Sequence, residues 1–231
     1  MSEPAANTSR KTSRAHRAAA LAAPSSREKI LEVAESAFAR AGFEGVGMRE
    51  IASAVGLGKS SLFHHFPTKL ELYGEVLDRV LERLEAALDA EVPRGVDVDA
   101  AIELDHWVAA IVGALAEDVP SARLLLRSLV EETPLPWTEL DDVERALMPF
   151  ELRLERVLER VRGLLERGVA EGVFRPVSVG DAMQTMIGMI VFHFASGDLG
   201  EALIGEPIFS RAAVERRRRE VTDFIRRGLR A

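Results

Sequence analysis

Lys59, Ser60, Ser61 and His64 bring a fixed cation, two hydroxyls and an imidazole into one short stretch. They are the residues left outward when the segment from Met48 to Phe66 is wound as two short helices. Side chains of this kind suit base edges in the major groove of DNA, and the lysine suits a phosphate. Two other readings compete for the same residues. Gly58-Lys59-Ser60 ends like a phosphate-binding loop, but that loop needs a glycine where Ser53 stands and a strand ahead of it. The pattern ahead of it is helical, which excludes a nucleotide site here. An ordinary helical hairpin inside a core also uses small residues and a glycine turn, and it remains the bland alternative.

The neighbouring residues must hold such a helix pair. Ala52 is small where two helices cross closely, and Gly56 falls where the tight turn wants a left-handed backbone. Ile51, Val55, Leu57 and Leu62 supply a small shared core. Upstream, Ser25 and Glu28 make a capping-box pattern before Ile30, Leu31, Ala34 and Phe38 at helical spacing, and Gly42 stops that helix. The spacing predicts a second helix over about Met48–Ala54 and a third over Lys59–His65. Pro67 then breaks the chain, and Thr68 with Glu71 caps a fourth helix reaching about Ala90.

Farther on, helices are predicted over about Asp99–Glu117, ending at Pro120, and over Ser121–Glu132. Thr133–Trp137 reads as a loop, Thr138 with Asp141 as a cap, and Pro149 as a break or kink. Phe150, Leu154, Val157, Val161, Leu164 and Val169 trace one helical stripe closed by Gly172. Ser178 with Asp181 caps a helix through about Ala195, and the last helix runs from about Ser210 to Leu229. No repeat and no alternating strand pattern occurs. The fold class is therefore all-α, with about nine helices: an N-terminal three-helix unit followed by a larger helical body.

Composition agrees with this organisation. Hydrophobic residues make up 47% of the chain and aromatics only 6%, a mix that favours helices. The chain has no cysteine, which removes disulfides, zinc-thiolate sites and thiol catalysis and fits a reducing compartment. Its net charge of −7 is unevenly spread. Residues 1–73 carry 10 Lys and Arg against 7 Asp and Glu, whereas the remainder carries 20 against 30. A basic N-terminal part on an acidic body matches a DNA-reading head joined to a domain with another task. Residues 1–24, rich in Ser, Thr, Ala and Arg, read as a flexible basic arm. The apolar run Ala18–Ala23 holds a single Leu, so export is not expected. The run around Met186–Ala195 is too short to span a bilayer. The five histidines, at positions 16, 64, 65, 106 and 193, show no metal-ligand spacing, and no nucleophile–base pair stands out. No catalytic residues, no metal, no cofactor and no enzymatic activity are expected.

The stretch from Ile30 to Tyr73 resembles the head of the tetracycline-repressor (TetR) family. The resemblance rests on Ala37, Phe38, Gly42, Phe43, Met48, Arg49, Ile51, Ala52, Val55, Gly56, Lys59 and Leu62 in ungapped spacing. Above all it rests on the phrase from Phe63 through His65, Phe66 and Pro67 to Lys69 and Leu72. In the body it extends only to helix count and to the run from Glu171 to Pro176. The resemblance implies a helix-turn-helix transcription regulator, a repressor of a palindromic operator, acting as a cytoplasmic homodimer. It implies DNA contacts from Arg49, Lys59, Ser60, Ser61, Phe63, His64, His65 and Lys69. Ser60, Ser61 and His64 would face bases, Lys59 the groove wall, and His65 and Lys69 phosphates. The chain departs from the family pattern at Val46, Gly47 and Gly58, where hydroxyl residues are usual, and at Phe63, where a tyrosine is usual. The domains implied are an arm over 1–24, a DNA-binding head over 25–73 and an effector-binding and dimerisation body over 74–231.

In the family the last two helices dimerise and the body encloses an apolar pocket. Met183, Met186, Ile187, Ile190, Val191 and Phe194 make the penultimate helix nearly apolar all round, as a dimer bundle would want. Arg216–Arg219 points around a whole helix and reads as a solvated face beside Glu215 and Glu220. For a small hydrophobic effector, His106, Trp107, Ile111, Met148, Phe150, Met186, Met189 and His193 are the lining candidates. The alternative is a DNA-binding regulator or architectural protein with a filled body and no effector.

Overall fold

The computed structural model describes residues 25–91, 98–130 and 149–231. The arm over 1–24, the loop at Thr133–Trp137, the cap at Thr138 with Asp141, and Met148 lie outside the described residues. Ten helices and no strand occur among the described residues: α1 Ser26–Ala41, α2 Met48–Val55, α3 Lys59–His65, α4 Lys69–Glu91, α5 Ala100–Glu117, α6 Val119–Val130, α7 Pro149–Ala170, α8 Val179–Ala195, α9 Asp198–Ile204 and α10 Arg211–Leu229.

The head forms where local signals predict it. Ser25 caps α1 with a complete capping box: its hydroxyl accepts from the Glu28 N–H, and the Glu28 carboxylate accepts from the Ser25 N–H. Gly56 adopts the left-handed conformation (φ 75°, ψ 25°), and the Leu57 N–H reaches back to the Ala52 carbonyl at 2.8 Å. That bond turns the chain from α2 into α3, and a side chain at position 56 would strain it. Ile30, Ala34, Phe38, Ile51, Ala52, Leu62 and Phe66 fill the space beneath, each 3% exposed or less. Thr68 caps α4 by accepting from the Glu71 N–H at 3.0 Å.

The long helix α4 continues from the head into the body, where its buried row from Leu72 through Leu88 packs on α5 and α7. Ion pairs fix its register against α7. Arg153 meets Asp78 and Glu85, both at 2.8 Å, and Arg160 meets Asp89 at 2.8 Å. The partners rise together in number along both helices, so α7 runs parallel to α4. Next, α5 packs on α10, and α8 packs on α6 and α7. Phe174 closes the end of α7: its ring lies on Gly168 where any Cβ would collide, and its N–H donates to the Gly168 carbonyl at 2.9 Å. Close approach of a ring to the helix backbone demands glycine there.

Several boundaries differ from the sequence expectations. Pro120 does not end a helix; it sits in the first turn of α6, where its missing N–H is not needed. Pro149 opens α7, in keeping with the expected break and with the stripe that starts at Phe150. Ser178 precedes α8, but its side chain makes no capping hydrogen bond. The short α9 was not predicted. Arg216–Arg219 is not wholly solvated: Arg216, Arg218 and Arg219 pair with Glu206 and Glu215, but Arg217 turns inward and donates to the Met189 carbonyl.

Candidate nucleic-acid interface

Helix α3 presents Lys59, Ser60, Ser61 and His64 on its exposed side, with Leu62 as the buried anchor. The Ser60 and Ser61 hydroxyls make no hydrogen bond among the described residues, so their donors and acceptors are available to a ligand. The Lys59 ammonium lies 5.4 Å from the Phe63 ring, which steers it along the helix flank. Arg49 is exposed at the start of α2. His65 is half-buried, and its ring meets the His64 ring edge-on at 5.9 Å.

Lys69 opens α4 on the rim of this surface. Its ammonium sits 4.3 Å from the centre of the Phe43 ring and 3.5 Å from the Glu44 carbonyl oxygen. Phe43, Phe38 and Tyr73 form an aromatic cluster below it, with the Phe38 and Tyr73 rings edge-on at 4.9 Å. The departures from the family pattern have local reasons. Val46 is buried, so a hydroxyl there would cost. Gly47 and Gly58 precede α2 and α3 without side-chain caps, although the Glu50 carboxylate accepts from the Gly47 N–H.

The residues proposed for an effector pocket scatter. Trp107, Ile111, Phe150 and Met186 are buried in the core, whereas His106 is exposed. Met186 and Met189 line one cleft of about 410 Å³ with Phe224 and Leu229. Phe150 lines another, of about 490 Å³, with His65, Phe66 and Arg27 at the junction of head and body. None of the larger clefts among the described residues gathers the set.

His193 is buried beside Arg217, and neither its Nε2 nor the Arg217 Nε has a partner among the described residues. Burial, then the charges of Arg217 and Arg216, hold the imidazole down at about 4. The unfolded chain takes up this proton near pH 6.5 and the folded chain does not, so stability falls as pH drops from about 6.5 to 4. The full effect is on the order of 3 kcal/mol. Urea unfolding at pH 7 and pH 4.5 should show the parent losing about 2 kcal/mol more than His193→Leu. Equal losses would mean that another group titrates.

A part-buried polar node also joins head to body, one that residue spacing alone does not reveal. Arg83 on α4 pairs with Glu35 on α1 and with Asp118 at 2.8 Å, and donates to Ser121 at 2.8 Å. Burial pushes the Glu35 carboxyl up, against the opposing pull of Arg83. The available signal was a carboxylate within the apolar row Leu31, Ala34 and Phe38.

Comparison with known proteins agrees with this architecture. The family of bacterial regulatory proteins of the tetR type matches residues 30–76, and a tetracyclin repressor-like C-terminal domain matches residues 145–225. The transcriptional repressor KstR2 of Rhodococcus jostii is 30% identical over 149 residues, covering 64% of this chain and 68% of that protein. The chain belongs to the tetracycline-repressor family. The TetR regulator PfmR of Thermus thermophilus superposes with a TM-score of 0.65 at 26% identity, over 90% of this chain and all of that one. AibR, solved with isovaleryl coenzyme A and operator DNA, shares the fold at a TM-score of 0.67 and 16% identity, over 87% of this chain and 97% of its own. The regulator is thus a helix-turn-helix protein that binds DNA to control transcription, and its relatives are regulators rather than enzymes. No single helix among its described residues is long and apolar enough to cross a membrane.

Proposed function

We propose that the regulator represses transcription in the cytoplasm by binding a palindromic operator as a homodimer. The observation that carries this reading is the exposed row Ser60, Ser61 and His64, flanked by Lys59 and Arg49 and anchored by buried Leu62. The three face base edges, Lys59 follows the groove wall, and Arg49, His65 and Lys69 meet phosphates. Phe63 adds packing without a hydroxyl. Residues 25–73 act as the head and 74–231 as the body, with the arm over 1–24 ahead of them and α4 crossing the boundary.

Dimerisation through α8 and α10 is supported by apolar side chains left outward there: Ile187 (36% exposed), Phe192 (49%) and Phe224 (66%). A second copy of the chain is the natural cover for such a face. The body also offers room for a small, largely hydrophobic effector. A cleft of about 750 Å³ between α4, α5 and α10 is lined by apolar Leu84, Ala87, Ala110 and Val214 together with Arg83, Glu117, Asp118 and Arg218. An occupant there would bear on the node that ties α1 to the body. It would release DNA only by preferring the head tilt that DNA disfavours, with coupling of about 1–3 kcal/mol in the ordinary range.

The reading is tested by sequence preference, measured by selection from a randomised duplex pool. Lys69→Ala should weaken binding to all sequences alike, whereas Ser61→Ala and His64→Ala should change the preferred bases. Identical preference profiles for the three variants would overturn the assignment of the α3 face.

A further inference from the structure

Lys69 stands in the first turn of α4, a helix of 23 residues, where the aligned peptide dipoles disfavour a cation. No carboxylate pairs with it among the described residues. Its ammonium is held instead by two groups from one short turn. The centre of the Phe43 ring lies 4.3 Å away and the Glu44 carbonyl oxygen 3.5 Å away. That turn is itself fixed. A Cβ at Gly45 would run into the Ala41 carbonyl, and the Val46 N–H donates back to the Phe43 carbonyl at 3.4 Å. The Phe43 ring stacks on Phe38 at 6.3 Å, with the planes 18° apart, and meets Tyr73 edge-on at 5.1 Å. The ring is thus anchored in the aromatic cluster of the head. Lys69 lies against it half-buried, where most surface lysines reach freely into water.

A lysine has a long flexible stem, and it loses that freedom on meeting a phosphate; one already laid in place loses less. What does the laying also matters. A carboxylate would orient the ammonium but cancel its charge, whereas a ring face and a carbonyl oxygen are neutral and leave the charge for an anion. The unpaired N–H groups of the first turn of α4 favour an anion at the same place. We propose that Phe43 is a positioning residue for operator binding: its ring holds Lys69 where a phosphate of the DNA backbone meets it, with the Glu44 carbonyl as second support. This rests on the reading that Lys69 contacts a phosphate, and it adds to that reading a residue that itself touches no DNA. Because the contact is to the backbone, Phe43 governs affinity and not base preference.

A double-mutant cycle tests this, with the full chain titrated onto the duplex it selects from a random pool. Phe43→Leu should weaken binding about two- to fivefold for each head engaged, the ordinary worth of a cation–ring contact near a surface. Its base preference should stay that of the parent. In a Lys69→Met background the same substitution should weaken binding no further. Phe43→Tyr keeps the ring and should keep the parent's affinity. Pentafluorophenylalanine installed in place of Phe43 keeps the ring's shape but reverses its charge distribution, so it should match the loss of Phe43→Leu with the head still folded. Equal losses from Phe43→Leu with and without Lys69 would make the ring merely structural and overturn the proposal. Parent-like binding by the fluorinated chain would also overturn it, as would tighter binding by Phe43→Leu, which would mean that the ring withholds Lys69 from DNA. Should Lys69→Met alone bind like the parent, the phosphate contact itself fails, and the proposal with it.

Discussion

Phe38→Ala is expected to weaken operator binding strongly while leaving the body folded. Phe38 is fully buried, with the Tyr73 ring edge-on at 4.9 Å and the Phe43 ring at 6.3 Å, and it touches the helix that positions α2. Removing a buried phenyl ring costs about 3–5 kcal/mol, because the cavity closes only in part. A head of this size has only about 2–7 kcal/mol to lose at ordinary stability per residue. The loss consumes most of the head's stability, and α3 is held less firmly at a fixed angle. Affinity for the selected duplex should fall by up to ~100-fold, since only the part of the loss beyond the head's own stability, at most about 3 kcal/mol, weakens binding. Circular dichroism should retain most of the helical signal, and sedimentation should report the parent's oligomeric state. A variant that binds DNA like the parent would show that the aromatic cluster does not set the head.

Phe224→Glu is expected to convert the proposed dimer into monomers. Phe224 is 66% exposed on α10 and borders the same cleft as Met186 and Met189 on α8. A twofold interface presents each residue twice, so one substitution places two carboxylates in an apolar seam. The protomer itself should tolerate the change, because the ring makes little of its own core. Losing the second head removes the avidity of paired half-sites, about 10²–10⁴ in operator affinity. Sedimentation at micromolar concentration reads the first effect and a binding titration the second. A persistent dimer with unchanged affinity would move the interface elsewhere.

Much of this arrangement is legible in the chain because its signals are local. The Ser25–Glu28 box, the Thr68 cap, the glycine at position 56 and the outward row on α3 each depend on residues within a few positions of one another. Val46 was harder to place: it stands where the family pattern has a hydroxyl, and only tertiary packing shows it buried. The polar node could not be assembled from spacing, since Glu35, Arg83 and Ser121 are joined only by the packing of α1, α4 and α6. The same limit explains the scattered pocket residues. Trp107 and Ile111 are apolar at helical spacing whether they line a cavity or fill a core, and the structure places both in the core. Pro120 is harder to place because a proline that ends one helix also suits the first turn of the next.

The central claim is that two copies of α3 read one palindrome. It is tested most directly by selecting duplexes from a random pool with the parent chain and mapping the bound site by footprinting. The account predicts an inverted repeat whose half-sites are centred about one helical turn apart, 34–36 Å, with affinity falling steeply as salt rises. A footprint without twofold symmetry, or binding indifferent to sequence, would contradict it.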